Sequence, residues 1–167
     1  MTRSKLVVAF ALAALLFASV GQTQEKKIAM TPVSYDGLKQ EILKQRGNVF
    51  VVDFWKSNCV PCRKAFPKLL DLHAKYANQG LAVAMVSRDS IDDSKGVEAA
   101  NKFLQDSNSP FRNLLLNVPE EHWSKQMPIP CYYVFDRGGR WVKFGGADRG
   151  VDYQELENTV KQMLNEK

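Results

Sequence analysis

The chain has little that could hold a metal ion: three cysteines and two histidines in 167 positions. A structural zinc site needs about four ligands. Beyond the pair Cys59 and Cys62, the remaining candidates are Cys131, His73 and His122, scattered along the sequence. That supply argues against zinc, and no other metal or organic cofactor is called for. Repeats and low-complexity linkers are also missing, so nothing requires a second domain. At 45% hydrophobic and 25% charged, the composition suits one ordinary globular core.

A strong excess of one charge sign is absent as well. The formal net charge of +5 falls to +3 once residues 1–21 are set aside, because Arg3 and Lys5 are the only charges there. A balance that small does not point to nucleic acid. Nor is there a full membrane span: the run from Leu6 stops after about 16 residues, short of the roughly 20 a spanning helix needs. With Arg3 and Lys5 before it and Ser19 and Gly21 after it, the run reads as a secretory signal peptide. The alternative is an uncleaved anchor. No cysteine stands near the cleavage point, which argues against a lipid anchor. The expected organisation is a signal peptide over 1–21, a polar leader over 22–29 and one folded domain over 30–167. Export to the periplasm or beyond would favour oxidised thiols. A working dithiol there needs a thiol electron donor, soluble or membrane-bound.

What the chain does have is Cys59-Val60-Pro61-Cys62, placed between an apolar stretch and a helical one. Cys59 should therefore open a helix, where unpaired N–H groups and the macrodipole favour a thiolate. Pro61 fits the first turn, since its missing N–H costs nothing there. The bare spacing also occurs in zinc sites and in structural disulfides.

Around the pair, apolar spacing predicts a helix over Tyr35 to Gln45, closed by Gly47, and a buried strand over Val49 to Phe54. The helix from Val60 carries Phe66, Leu69, Leu70, Leu72 and Tyr76, and Asn78-Gln79-Gly80 stops it. Leu81 to Ser87 reads as a second buried strand, Arg88 to Lys95 as a polar loop and Gly96 to Gln105 as a helix. Phe111 to Leu116 is a short strand, and Glu120 to Gln126 one or two helical turns. Cys131 to Phe135 and Arg140 to Phe144 flank Asp136-Arg137-Gly138-Gly139 as a hairpin. An amphipathic helix with Val151, Leu156, Val160 and Met163 on one side ends the chain. This order predicts an α/β fold with a central mixed sheet and helices on both faces.

Asp53 is the single charge in its strand. Buried without a cation, its carboxyl would have a raised pKa and could exchange a proton with Cys62. On an edge strand it would instead be an ordinary surface carboxylate.

The runs Val52-Asp53-Phe54-Trp55, Cys59-Val60-Pro61-Cys62 and Ile129-Pro130, the last just ahead of the hairpin, resemble the thioredoxin superfamily. The export signal, Arg63-Lys64-Ala65-Phe66-Pro67 and the longer middle resemble its TlpA/ResA-like thiol-disulfide oxidoreductases, over about residues 30 to 165. The resemblance implies a thioredoxin-like fold in which Cys59 attacks a protein disulfide, Cys62 resolves the mixed disulfide and Asp53 is the buried acid. It makes Pro130 a cis-proline, with the Ile129 backbone free to pair with a substrate peptide. Trp55 joins these two on the substrate side of the site, packed beneath the dithiol. A monomer with a reducing role is implied.

Three positions depart from the pattern. Ala65 stands where members that reduce apocytochromes often carry Glu, and Asn58 where an aromatic commonly precedes the first cysteine. Cys131 follows the expected cis-proline. It is either a small buried hydrophobe, the reading preferred for a free cysteine, or a third thiol beside the pair. Two other functions stay open: a peptide-binding, chaperone-like module with a structural disulfide, and a thiol peroxidase. The last would need an Arg and Thr or Ser pocket that the sequence does not reveal.

Overall fold

In the computed structural model, residues 27–119, 128–146 and 150–166 are described. The expected signal peptide, most of the polar leader, the helical turns of Glu120 to Gln126 and His122 lie outside the described residues. The elements run β1 (Thr31–Val33), α1 (Tyr35–Leu43), β2 (Val49–Trp55), α2 (Val60–Tyr76), β3 (Leu81–Ser87), α3 (Ser94–Asp106), β4 (Arg112–Leu116), β5 (Cys131–Phe135), β6 (Trp141–Gly145) and α4 (Tyr153–Asn165). They form the mixed sheet that the sequence predicts, in the order β1-β4-β3-β2-β5-β6.

β2 lies centrally, parallel to β3 and antiparallel to β5. All seven of its residues are buried, as a strand covered on both faces requires. Its alternation sorts them. Val49, Val51 and Trp55 join the core beneath α2, α3 and α4, whereas Phe50, Val52 and Phe54 face the smaller core capped by Leu38 of α1. Helices thus cover both faces unequally, three against one among the described residues.

Local chemistry fixes the element ends. Ser34 Oγ accepts from Gly37 N at 3.1 Å to start α1, and Asp152 accepts from Gln154 N and Glu155 N to start α4. Asp93 accepts from Gly96 N at 3.0 Å, so α3 begins at Ser94, earlier than the expected Gly96. Gly80, at φ +95°, adopts the left-handed conformation that ends the 3₁₀ turn after α2. In the β5–β6 turn the Asp136 carboxylate accepts from Gly138 N and Arg140 N, at 2.9 and 2.8 Å. β1 was not expected. It is a three-residue edge strand with a central proline, paired in parallel with β4, and too short to show any periodicity.

Candidate active site

The C-terminal end of β2 hands the chain to α2 through Lys56-Ser57-Asn58, and Cys59 is the N-cap of that helix. Cys59 and Cys62 form a disulfide with their Cα atoms 5.3 Å apart. The Cys62 N–H donates to Cys59 Sγ at 3.3 Å, the capping bond that would also stabilise a thiolate there. Cys59 is 8% exposed and Cys62 2%. Cys59 is the more exposed residue of the two, as its place suggests, but in the disulfide form it is buried rather than open. Val60 beside it is 59% exposed and puts an apolar side chain at the mouth of the site.

Asp53 shares its sheet face with Val51 and Trp55, beneath α2, and is 1% exposed. The surface-carboxylate alternative is therefore excluded. Its neighbours across the sheet are Met85 on β3 and Tyr132 on β5, neither of them a cation. Neither carboxyl oxygen has a hydrogen-bond partner among the described residues. Burial raises the Asp53 pKa to about 8, offset only in part by the nearby Tyr132 hydroxyl, which falls short of good hydrogen-bond geometry.

Trp55 is 1% exposed and packs in the same cluster as both cysteines, its ring 5.3 Å from Phe103. It supports the dithiol from below. A place among substrate-contacting residues does not hold for it in this state, since a side chain so enclosed reaches no substrate. The Ile129–Pro130 bond is cis, and both residues are half-buried just before β5. Gly145 on β6, at φ +84°, lets that strand run close against Pro130: a Cβ there would collide with the Pro130 carbonyl oxygen.

Cys131 is fully buried and belongs to the core under α1, with Phe50, Val52 and Phe54. The dithiol belongs to the core on the other face, so the sheet stands between. Burial pushes the Cys131 thiol pKa up, which suits an inert thiol. Arg63, next after Cys62, lays its guanidinium 4.9 Å from the Phe103 ring centroid. His73 meets Phe111 edge-on at 5.3 Å, a packing contact.

A buried polar network that the sequence reading missed holds the loop ahead of Cys59. Asp89, 4% exposed, accepts from Ser57 N at 2.9 Å, Ser57 Oγ at 2.7 Å and Ser87 Oγ at 2.6 Å. The only signal in the sequence is an Asp two residues past the end of a buried strand, in a stretch whose polarity suits any loop.

The comparisons agree with this geometry. A DipZ protein of Mycobacterium tuberculosis is 28% identical over 130 residues, 72% of this chain and only 17% of that longer protein. The thiol-disulfide oxidoreductase YkuV of Bacillus subtilis is 28% identical over 123 residues, 70% of this chain and 77% of its own length. Among solved structures, a putative thiol:disulfide interchange protein DsbE from Chlorobium tepidum aligns with a TM-score of 0.58 at 27% identity, covering 74% of this chain and 85% of that one. The AhpC/TSA family profile matches residues 26–142. With its mixed sheet and a cysteine pair opening α2, this chain belongs to the AhpC/TSA family of thioredoxin-like proteins.

Proposed function

We propose that the protein is an exported thiol-disulfide oxidoreductase that reduces disulfides in other proteins. The observation that carries this reading is the Cys59–Cys62 disulfide at the start of α2 with an unpaired Asp53 beneath it. In the reduced form the Cys59 thiolate attacks one sulfur of a substrate disulfide. A mixed disulfide forms and the other substrate sulfur leaves as a thiol. Cys62 then gives its proton to Asp53 and attacks Cys59 Sγ, which releases the second substrate thiol and leaves the Cys59–Cys62 bond. A thiol donor restores the dithiol. The substrate segment pairs with the Ile129 backbone beside Pro130, and Val60 adds apolar contact.

Charge supports the reducing direction. A disulfide oxidoreductase becomes oxidising when its thiolate form is stabilised. Here one helix N–H supports the Cys59 sulfur, while Asp53, neutral below about 8, adds no positive charge that would stabilise a thiolate at the pair. That keeps the midpoint toward the reducing end. The reading of residues 1–21 as an export signal supports a site of action beyond the cytosol, where a donor must feed it.

The test is equilibration of residues 22–167 in graded thiol-disulfide buffers, with Cys59/Cys62 followed by alkylation. A midpoint near about −270 mV is expected; one near about −120 mV would make the protein an oxidant. A pair that exchanges at no poise would leave a peptide-binding module with a structural disulfide. Peroxide consumption by the reduced protein would favour the peroxidase alternative.

A further inference from the structure

Asp53 is sealed from bulk water: its carboxyl is 1% exposed and neither oxygen has a hydrogen-bond partner among the described residues. A carboxyl that takes up and releases a proton in each cycle needs a route for that proton. Asp53 lies on the sheet face whose core holds the dithiol. Tyr132 stands opposite it on β5 and is fully buried. The Tyr132 hydroxyl lies 3.3 Å from that of Tyr153, the first residue of α4, with either able to donate. The two rings meet edge to face with centroids 5.8 Å apart.

Both tyrosines line a cleft of about 330 Å³ between α2 and α4. Its other walls carry Lys68, Asp71, Lys75 and Glu157, charges that keep such a cleft wet. Lys68 Nζ stands 4.3 Å from the Tyr153 ring centroid, and Lys75 pairs with Glu157 at 3.2 Å. The Tyr132 hydroxyl is near enough to Asp53 to lower its pKa although short of hydrogen-bond geometry, and it pairs with Tyr153, the more exposed of the two tyrosines.

We propose that the Tyr132 and Tyr153 hydroxyls relay protons between the Asp53 carboxyl and water in the α2/α4 cleft. This rests on the reading of Asp53 as the proton acceptor for Cys62. On release, the Asp53 O–H bond breaks as a new O–H bond forms on Tyr132. Tyr132 passes its own proton to Tyr153, and Tyr153 passes its own to a cleft water. Each hydroxyl gains one proton and loses one, so neither is left charged. Burial raises the pKa of both tyrosines, which keeps them protonated throughout. The route lets the proton leave without passing the dithiol, where a bound substrate would block water.

The experiment follows the protonated-carboxyl infrared band of Asp53 in time after a pH jump across about 8, in the full chain in its disulfide form. Absence of the band in Asp53→Asn assigns it. Tyr132→Phe and Tyr153→Phe keep the rings and the packing, and each is expected to slow the band's response at least about tenfold, within what a positioned proton-transfer group contributes. Tyr76→Phe serves as the control. Its hydroxyl donates to Glu157 at 2.8 Å beside the same cleft, and its loss should leave the rate unchanged. A slowing of less than about tenfold in Tyr153→Phe, or an equal slowing in Tyr76→Phe, overturns the relay. Failure of the underlying reading shows elsewhere: an unchanged pH profile of Cys62 attack in Asp53→Asn removes the acid's redox role, while the infrared rates still decide the route.

Discussion

Asp89 holds Ser57 at both ends of the residue, accepting its backbone N–H at 2.9 Å and its hydroxyl at 2.7 Å, two positions ahead of Cys59. The carboxylate is buried, so these bonds are made where water cannot replace them. Asp89→Ala leaves the Ser57 N–H without a partner and should cost about 2–3 kcal/mol, read from urea denaturation. Asp89→Asn keeps one acceptor oxygen and should recover part of the loss. Equal stability of Asp89→Ala and the parent would show that the loop does not depend on this clamp.

Stability should fall with pH because of Asp53. Its pKa is about 8 in the folded protein against an ordinary 3.8, so the folded state holds the proton more tightly. The contribution is fully present below the unfolded value and is lost as pH rises through the folded one. Between these limits the slope is about 1.4 kcal/mol per pH unit. Asp53→Asn should abolish that slope and be the more stable protein at pH values above the window. A parent whose stability is flat across it would contradict the buried, unpaired carboxyl.

The two cysteines should separate by role. Cys62→Ser lacks the resolving thiol and should accumulate a mixed disulfide between Cys59 and its substrate, visible on non-reducing gels. Cys59→Ser should form none and turn over no substrate. In the parent, resolution of a mixed disulfide on Cys59 should quicken as pH rises through about 8, and Asp53→Asn should slow it by roughly a hundredfold above that point. Trapping through Cys62 instead would reverse the assignment.

Gly145 should not tolerate a side chain. At φ +84°, with the Pro130 carbonyl oxygen and Val151 Cγ2 in the way, Gly145→Ala should cost about 3 kcal/mol or more. Because the clash falls on Pro130, KM for a peptide disulfide should rise in the surviving folded protein. Unchanged stability and KM would mean that β6 need not approach Pro130 so closely.

Cys131 should be a bystander to redox chemistry. Fully buried on the opposite face of the sheet, it should resist alkylation in the native protein and react only on unfolding. Cys131→Ala should leave the Cys59/Cys62 midpoint unchanged while costing about 1 kcal/mol for the lost sulfur contacts. A shifted midpoint would bring the third thiol into the site.

The sequence reading recovered β2, α2, β3, the hairpin and α4 because their signals are local. Continuous apolar runs, helical spacing and turn glycines act over a few residues. β1 escaped because Thr31-Pro32-Val33 is a strand only by virtue of its pairing with β4. Asp89 escaped for a similar reason: its partners are Ser87 nearby and Ser57, 32 positions away. Trp55 and Asp53 were both legible as site residues, yet only the packing shows how completely each is enclosed.

Sequence alone determined that two thiols would open a helix after a buried strand, since N-cap position, Pro61 and the apolar run are properties of neighbouring residues. It also determined that one carboxyl would interrupt that strand. The tertiary structure decided what surrounds them. Sheet register set Tyr132 and Met85 beside Asp53, strand alternation sent Cys131 to the other face, and the crossing of α2 with α4 opened the cleft at Tyr153. These are long-range choices, because burial and electrostatic environment depend on which distant segments pack together.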